Sequence, residues 1–124
     1  MLGGSNIVQA TPAKPVVVHK HLNYTVLHYK QYNMKHLEQL WIWAGGPRKY
    51  AHLAASIALA ESSGNPRAYS SSNDRGLWQI NGCHGYWSSF NTWTNVRAAI
   101  MISNHGRDWS PWATYTSGSY LRHW

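Results

Sequence analysis

The chain has one cysteine, Cys83, so an internal disulfide is impossible and the small secreted disulfide scaffolds are excluded. Acidic side chains are nearly as scarce. Glu38, Glu61, Asp74 and Asp108 are the complete set, and any acid–base chemistry must draw on them. No run approaches the ~20 apolar residues of a membrane-spanning helix. There is no His-Glu-x-x-His, no phosphate-binding glycine loop and no zinc-ligand spacing, so no metal or cofactor is expected. The opening Met-Leu-Gly-Gly-Ser-Asn lacks a charged stretch followed by an apolar one, so no signal peptide is expected. Charged residues make up only 12% of the chain, which is low for a globular protein.

Aromatics fill that gap. Eight Trp and eight Tyr in 124 residues exceed what core filling alone asks for and suggest stacking on sugars or bases. A hydrophobic content of 44% excludes a wholly disordered chain, and the length fits one domain with its own core. The net charge of +7 favours a polyanionic partner, either nucleic acid or an acidic bacterial wall.

Residues 1–15 hold Gly3, Gly4, Ser5, Pro12 and Pro15 and read as a tail or linker. From Val16 to Tyr32 a loose alternation (Val16, Val17, Val18, Tyr24, Val26, Leu27) suits two short strands turning near Asn23. His19, Lys20, His21 and His28 show no ligand spacing and are expected at the surface. Helical spacing starts near Asn33, with Leu37, Leu40, Trp41 and Ala44 on one stripe and Gly45-Gly46 as the stop. Pro47 is expected to open a second helix to about Ser63, with Gly64 just beyond it. In it Leu53, Ala54, Ile57, Ala58 and Glu61 share a face, and His52 and Ser56 mark the other. Residues 64–76 read as a loop or small hairpin. Asn95 is expected to cap a helix through Ile102, and Ser110-Pro111 a short last one closed by Gly118. Residues 1–36 are thus read as an extension, which could tether the domain to a larger assembly, and 37–124 as the domain.

Glu61 is the carboxylate of an otherwise Ala/Leu/Ile helix and lies on its apolar stripe. Desolvation and the negative end of the helix dipole both favour its protonated form, the state a general acid needs. A frayed, solvated Glu at a helix end is the alternative reading of the same position.

Ala60-Glu61-Ser62-Ser63-Gly64-Asn65-Pro66, then Gly76-Leu77-Trp78-Gln79-Ile80-Asn81, resembles the signature of the lysozyme-like superfamily. The soluble lytic transglycosylase type and its phage relatives are the nearest likeness. Asn95-Val96-Arg97-Ala98-Ala99 resembles that family's third helix and Pro111 to Gly118 its closing tyrosine motif. The resemblance implies a mainly α, α+β lysozyme-like fold, with a buried central helix and a small β-hairpin flanking a cleft. It implies Glu61 as catalytic acid/base, Tyr115 as its orienting tyrosine, and Ser62, Gly76, Leu77, Trp78, Gln79 and Asn81 as substrate contacts. Ser62 could equally serve to end the helix, and Trp78 and Tyr115 could be core aromatics. Trp87, Trp109 and Trp112 are candidate sugar platforms in neighbouring subsites.

The implied activity is cleavage of the β-1,4 bond between N-acetylmuramic acid and N-acetylglucosamine, by a lytic transglycosylase acting through one glutamate. Asp74-Arg75-Gly76-Leu77-Trp78-Gln79-Ile80-Asn81 also resembles the hairpin of c-type lysozymes, which leaves a hydrolysing muramidase with Glu61 and Asp74 open. Against it, the short loop between the two acids suggests that they do not face each other, and Arg75 could hold Asp74 in a structural pair. Asn81 stands where goose-type lysozymes place an acid, and an amide cannot deprotonate water. Glu38 and Asp108 read as surface or capping residues. Cys83 beside His84 lacks the geometry of a thiol nucleophile and its base and reads as a buried or semi-buried thiol. Two further readings are a wall-binding module without chemistry and, from the basic and aromatic content, a nucleic-acid binder. The expected partner is the peptidoglycan glycan strand, with no nucleic acid and no membrane span, acting on the cell wall as a phage lysin or virion-attached enzyme, monomeric or particle-bound.

Overall fold

The computed structural model describes residues 28–124. Asn33 opens helix α1 (Met34–Trp43) with a reciprocal cap: its side-chain oxygen accepts the His36 amide, and the His36 ring accepts the Asn33 amide. The stripe Leu37, Leu40, Trp41 and Ala44 is buried, as its spacing predicts. Pro47 opens only a 3-10 turn (Arg48–Tyr50), and helix α2 (Ala51–Ser62) begins after it.

Helix α2 is enclosed on most sides. Ala51, Ala54, Ala55, Ser56, Ile57, Ala58 and Ser62 are all buried, and their small side chains let neighbours close in. Ser56 therefore does not mark an outer face: its hydroxyl donates to the His52 carbonyl at 2.8 Å, which satisfies it inside the core. Leu53 is only half-buried. The helix ends through Ser63 and Gly64, both at positive φ. A Cβ on Gly64 would lie 2.0 Å from the Tyr32 carbonyl oxygen. Tyr32 in turn donates its amide to the Gly64 carbonyl and is 1% exposed, so the core reaches upstream of Leu37. Residues 28–32 form no strand, and the rest of the stretch read as strands lies outside the described residues.

Strands β1 (Asp74–Arg75) and β2 (Ile80–Asn81) pair antiparallel, Asp74 opposite Asn81, and Tyr69 bridges Arg75 from the other side. Two residues per strand cannot sustain a sheet alone. The anchor comes from helix α3 (Thr92–Ile102), and it is a residue expected to do something else. Asn91 caps α3 by accepting the Thr94 amide at 2.9 Å. Asn95, one turn inside, is fully buried. Its side-chain oxygen accepts the Trp78 amide at 2.9 Å, and its side-chain nitrogen donates to the carbonyls of Arg75 (2.8 Å) and Ser89 (2.9 Å). Gly76, at φ +80°, makes room: a Cβ there would stand 2.3 Å from the Asn95 side-chain nitrogen.

Helix α4 (Ala113–Thr116) follows, closed by Gly118 at positive φ, and a 3-10 turn (Ser119–His123) packs back on α2. The tryptophans largely make the core. Trp41, Trp78, Trp109 and Trp112 are buried, and each indole N–H donates to a carbonyl: those of Pro47, Ala54, Gly106 and Trp78 respectively. On the far side of α2, His52 lies between the Glu38 carboxylate (2.8 Å) and the Trp124 carbonyl (2.6 Å). Both partners are acceptors, so both bonds together require the imidazolium. The hydrogen bond to Glu38 leads in raising the His52 pKa above its ordinary 6.5.

Asn95→Ala leaves two carbonyls and one amide without their partner and should lower unfolding free energy by about 3 kcal/mol, measured by urea denaturation. Because His52 has a raised pKa when folded, its contribution is complete below pH 6.5 and is lost as pH climbs through the folded value. Melting temperature should therefore decline across that window, and His52→Gln should flatten the decline.

Candidate active site

The last turn of α2 carries Glu61 to one wall of a cleft of about 220 Å3, and the hairpin supplies the other. Asp74, Gln79, Ile80 and Asn81 line it from β1, β2 and the turn between them. His84 closes one end, and Ile102, Pro111, Trp112 and Ala113 form the remaining side.

Glu61 is half-buried, and Thr114 at the start of α4 donates its hydroxyl to one carboxylate oxygen at 2.7 Å. Burial drives its pKa up, the Thr114 hydroxyl pulls against it, and the negative charge of Asp74 adds to the rise. Asp74 accepts the Ser70 hydroxyl on one oxygen and the Asn81 amide on the other, each at 2.8 Å. Arg75 is turned away from it: the guanidinium donates to the Ser88 hydroxyl and lies over the rings of Tyr69 and Phe90. Despite the short loop between them, the two acids line the same cleft. One carboxyl group raised towards its neutral form and a second held by two donors share one cavity. That arrangement can protonate a leaving oxygen and stabilise a positive charge.

The other residues singled out by sequence fall into two groups. Gln79 lines the cleft at positive φ, with its side-chain amide donating to the Ala68 and Gly76 carbonyls. Asn81 lines it too, bridging Asp74, the Ser72 carbonyl and the Cys83 amide. Gly76, Leu77 and Trp78 are sealed from solvent, with the Trp78 amide and carbonyl engaged by Asn95 and Trp112, so they support the wall and do not present a surface. Ser62 is buried and ends the helix, donating to the Ala58 carbonyl and accepting the Gly64 amide. Tyr115 is stacked on Tyr120 at 5.2 Å, outside the cleft lining, and the contact to Glu61 comes from its neighbour Thr114.

Of the supposed sugar platforms, Trp109 is 2% exposed and Trp112 is 5% exposed, with Trp112 forming part of the cleft floor; Trp87 is half-buried. Cys83 is exposed, not buried, because the turn that carries it stands off the hairpin. Asp108 caps Ser110 and Glu38 holds His52, both away from the cleft. Thr114 and His84 were not legible as site residues. Thr114 stands beside Tyr115 in the closing motif and His84 beside Cys83, and only the turn geometry shows that these two reach Glu61 and the cleft.

Glu38 and Glu61 are the two glutamates in the chain, so carboxyl-labelled glutamate gives two NMR signals to titrate. The Glu61 signal should titrate above the ordinary glutamate range, move further up in Thr114→Val and move down in Asp74→Asn.

The lysozyme-like domain family matches residues 38–114, a span that includes both cleft acids, the hairpin, α3 and Thr114. No curated protein and no solved structure is significantly similar to the chain. With more than half its length matched, the chain belongs to the lysozyme-like domain family, of the soluble lytic transglycosylase type, whose activity is directed at peptidoglycan.

Proposed function

We propose that this protein cleaves the β-1,4 bond between N-acetylmuramic acid and N-acetylglucosamine in peptidoglycan, as a lytic transglycosylase working through Glu61. The observation that carries this reading is the half-buried Glu61 with its raised pKa at the cleft wall, one oxygen held by Thr114. The neutral carboxyl donates its proton to the glycosidic oxygen, and the bond from that oxygen to the muramic anomeric carbon breaks. The resulting glutamate then accepts the proton of the muramic 6-hydroxyl, whose oxygen closes onto the anomeric carbon. A 1,6-anhydro ring forms, Glu61 is neutral again and no water is consumed. Asp74 lends negative charge opposite the cationic centre without forming a bond, since both its oxygens already accept hydrogen bonds that blunt a nucleophile. The net charge of +7 draws the enzyme to an acidic wall.

A second reading is a hydrolysing muramidase. It is favoured by one observation, the presence of Asp74 in the same cleft as Glu61, as a retaining mechanism requires. An origin in a phage lysin or a virion-attached enzyme remains part of the proposal.

Mass spectrometry of fragments released from purified peptidoglycan separates the two. Transglycosylation yields products one water lighter than hydrolysis, without reducing ends. Glu61→Gln should reduce release by about 10²–10⁴-fold in either case. Asp74→Asn should retain a substantial share of activity on the one-glutamate route and fall as far as Glu61→Gln on the two-carboxylate route. Intact wall binding with no release by the wild type would overturn the enzymatic reading.

A further inference from the structure

A second pocket, about 770 Å3 in volume, opens where residues 29–32, the loop after α2 and the start of α3 meet. Tyr29, Tyr32, Pro66 and Phe90 supply apolar walls, and the exposed Lys30 and Arg67 line it as well. Neither cation has a side-chain hydrogen bond or ion pair among the described residues. Nor can the chain supply an acid for them. Of its four carboxylates, Glu38 is taken by His52, Asp108 caps Ser110, and Glu61 and Asp74 line the cleft.

Arg67 precedes Ala68, whose carbonyl holds the cleft residue Gln79. Phe90 leads outward to the exposed Tyr69, its ring centroid 6.3 Å away, and the Arg75 guanidinium lies over both rings at 5.5 and 6.0 Å. Arg75 is the chain neighbour of Asp74. The apolar and cationic surface thus meets the cleft only through backbone, at Ala68 and Arg75, with the Arg75 side chain turned away from Asp74.

We propose that this pocket, continued by the Tyr69–Arg75–Phe90 stack, binds the acidic peptide branches of the glycan strand, an inference that rests on the peptidoglycan-cleaving reading above. Those branches alternate methyl side chains with carboxylates. The aromatic and proline walls suit the first, and Lys30 and Arg67 the second. A phosphodiester polymer would engage the cations but has nothing to set against the apolar faces of Tyr29, Pro66 and Phe90. A branch of five residues reaches about 17 Å when extended. Binding both parts of one substrate raises its effective concentration at the cleft without any new contact to the scissile bond.

The test uses the full chain and the free tetrapeptide Ala-γ-Glu-diaminopimelate-Ala, titrated by calorimetry. Saturable binding is expected, weakened at least tenfold in the double variant Lys30→Glu/Arg67→Glu and in Phe90→Ala. The same variants should raise KM on peptide-bearing peptidoglycan and leave cleavage of peptide-stripped glycan unchanged. Absence of saturable binding, binding indifferent to both variants, or equal losses on stripped glycan would each overturn the proposal. So would tighter binding of poly(glycerol phosphate) through the same residues. Peptide binding without any glycan cleavage would sink the enzymatic reading while the peptide site stands.

Discussion

The side-chain amide of Asn95 holds together the two halves of the functional region. A hairpin with two residues in each strand has too few ladder bonds to keep its shape, and its neighbours are loops. Three hydrogen bonds from one buried amide fix the backbone at Arg75, Trp78 and Ser89 to the body of α3. Once those points are fixed, Asp74 and Gln79 follow, since each lies one residue from an anchored position. The amide replaces strand pairing that the chain is too short to make. Each buried polar atom in it has a partner, which is the condition under which a polar group in a core adds specificity.

Scarcity of acid shapes the chemistry as much as geometry does. With four carboxylates and a net charge of +7, a negative charge is a rare object in this molecule, and two of the four share one cavity. Burial is what chiefly keeps Glu61 from ionising easily, and the Asp74 charge in the same cavity adds to it. The other two are committed to structural tasks at the far side of α2 and in the loop before α4.

Much of the frame was legible in the sequence. The α1 stripe, its Asn33 start, the positive-φ end of α2 at Gly64 and the small hairpin follow from periodicity and turn chemistry, which are local properties. What was not legible is where a side chain points when two readings share one neighbourhood. Asn91 and Asn95 are both suited to cap a helix, and the one in phase with the hairpin became the internal anchor. Thr114 and Tyr115 are adjacent, and the phase of a four-residue helix turns the threonine to Glu61 and the tyrosine to Tyr120. The tryptophan excess suggested sugar platforms, yet four of the eight close the core, because an indole whose N–H reaches a backbone carbonyl loses little by burial. The lysozyme-like resemblance grouped Glu61 with the hairpin, and residues of both line one cleft. It could not tell that the hairpin's own Leu77 and Trp78 face inward.

Trp112 has a role on both sides of the same wall. Its indole N–H is tied to the Trp78 carbonyl and its ring packs on Trp109 at 4.9 Å, while the same residue lines the cleft. At Trp112 the cavity therefore has no lining independent of the core. A deeper or wider cleft would open the packed interior directly, and close-packed interiors do not yield by small amounts. On the side that backs onto solvent the exposed His84 lines the cleft, and a substitution there can change its shape without disturbing the core.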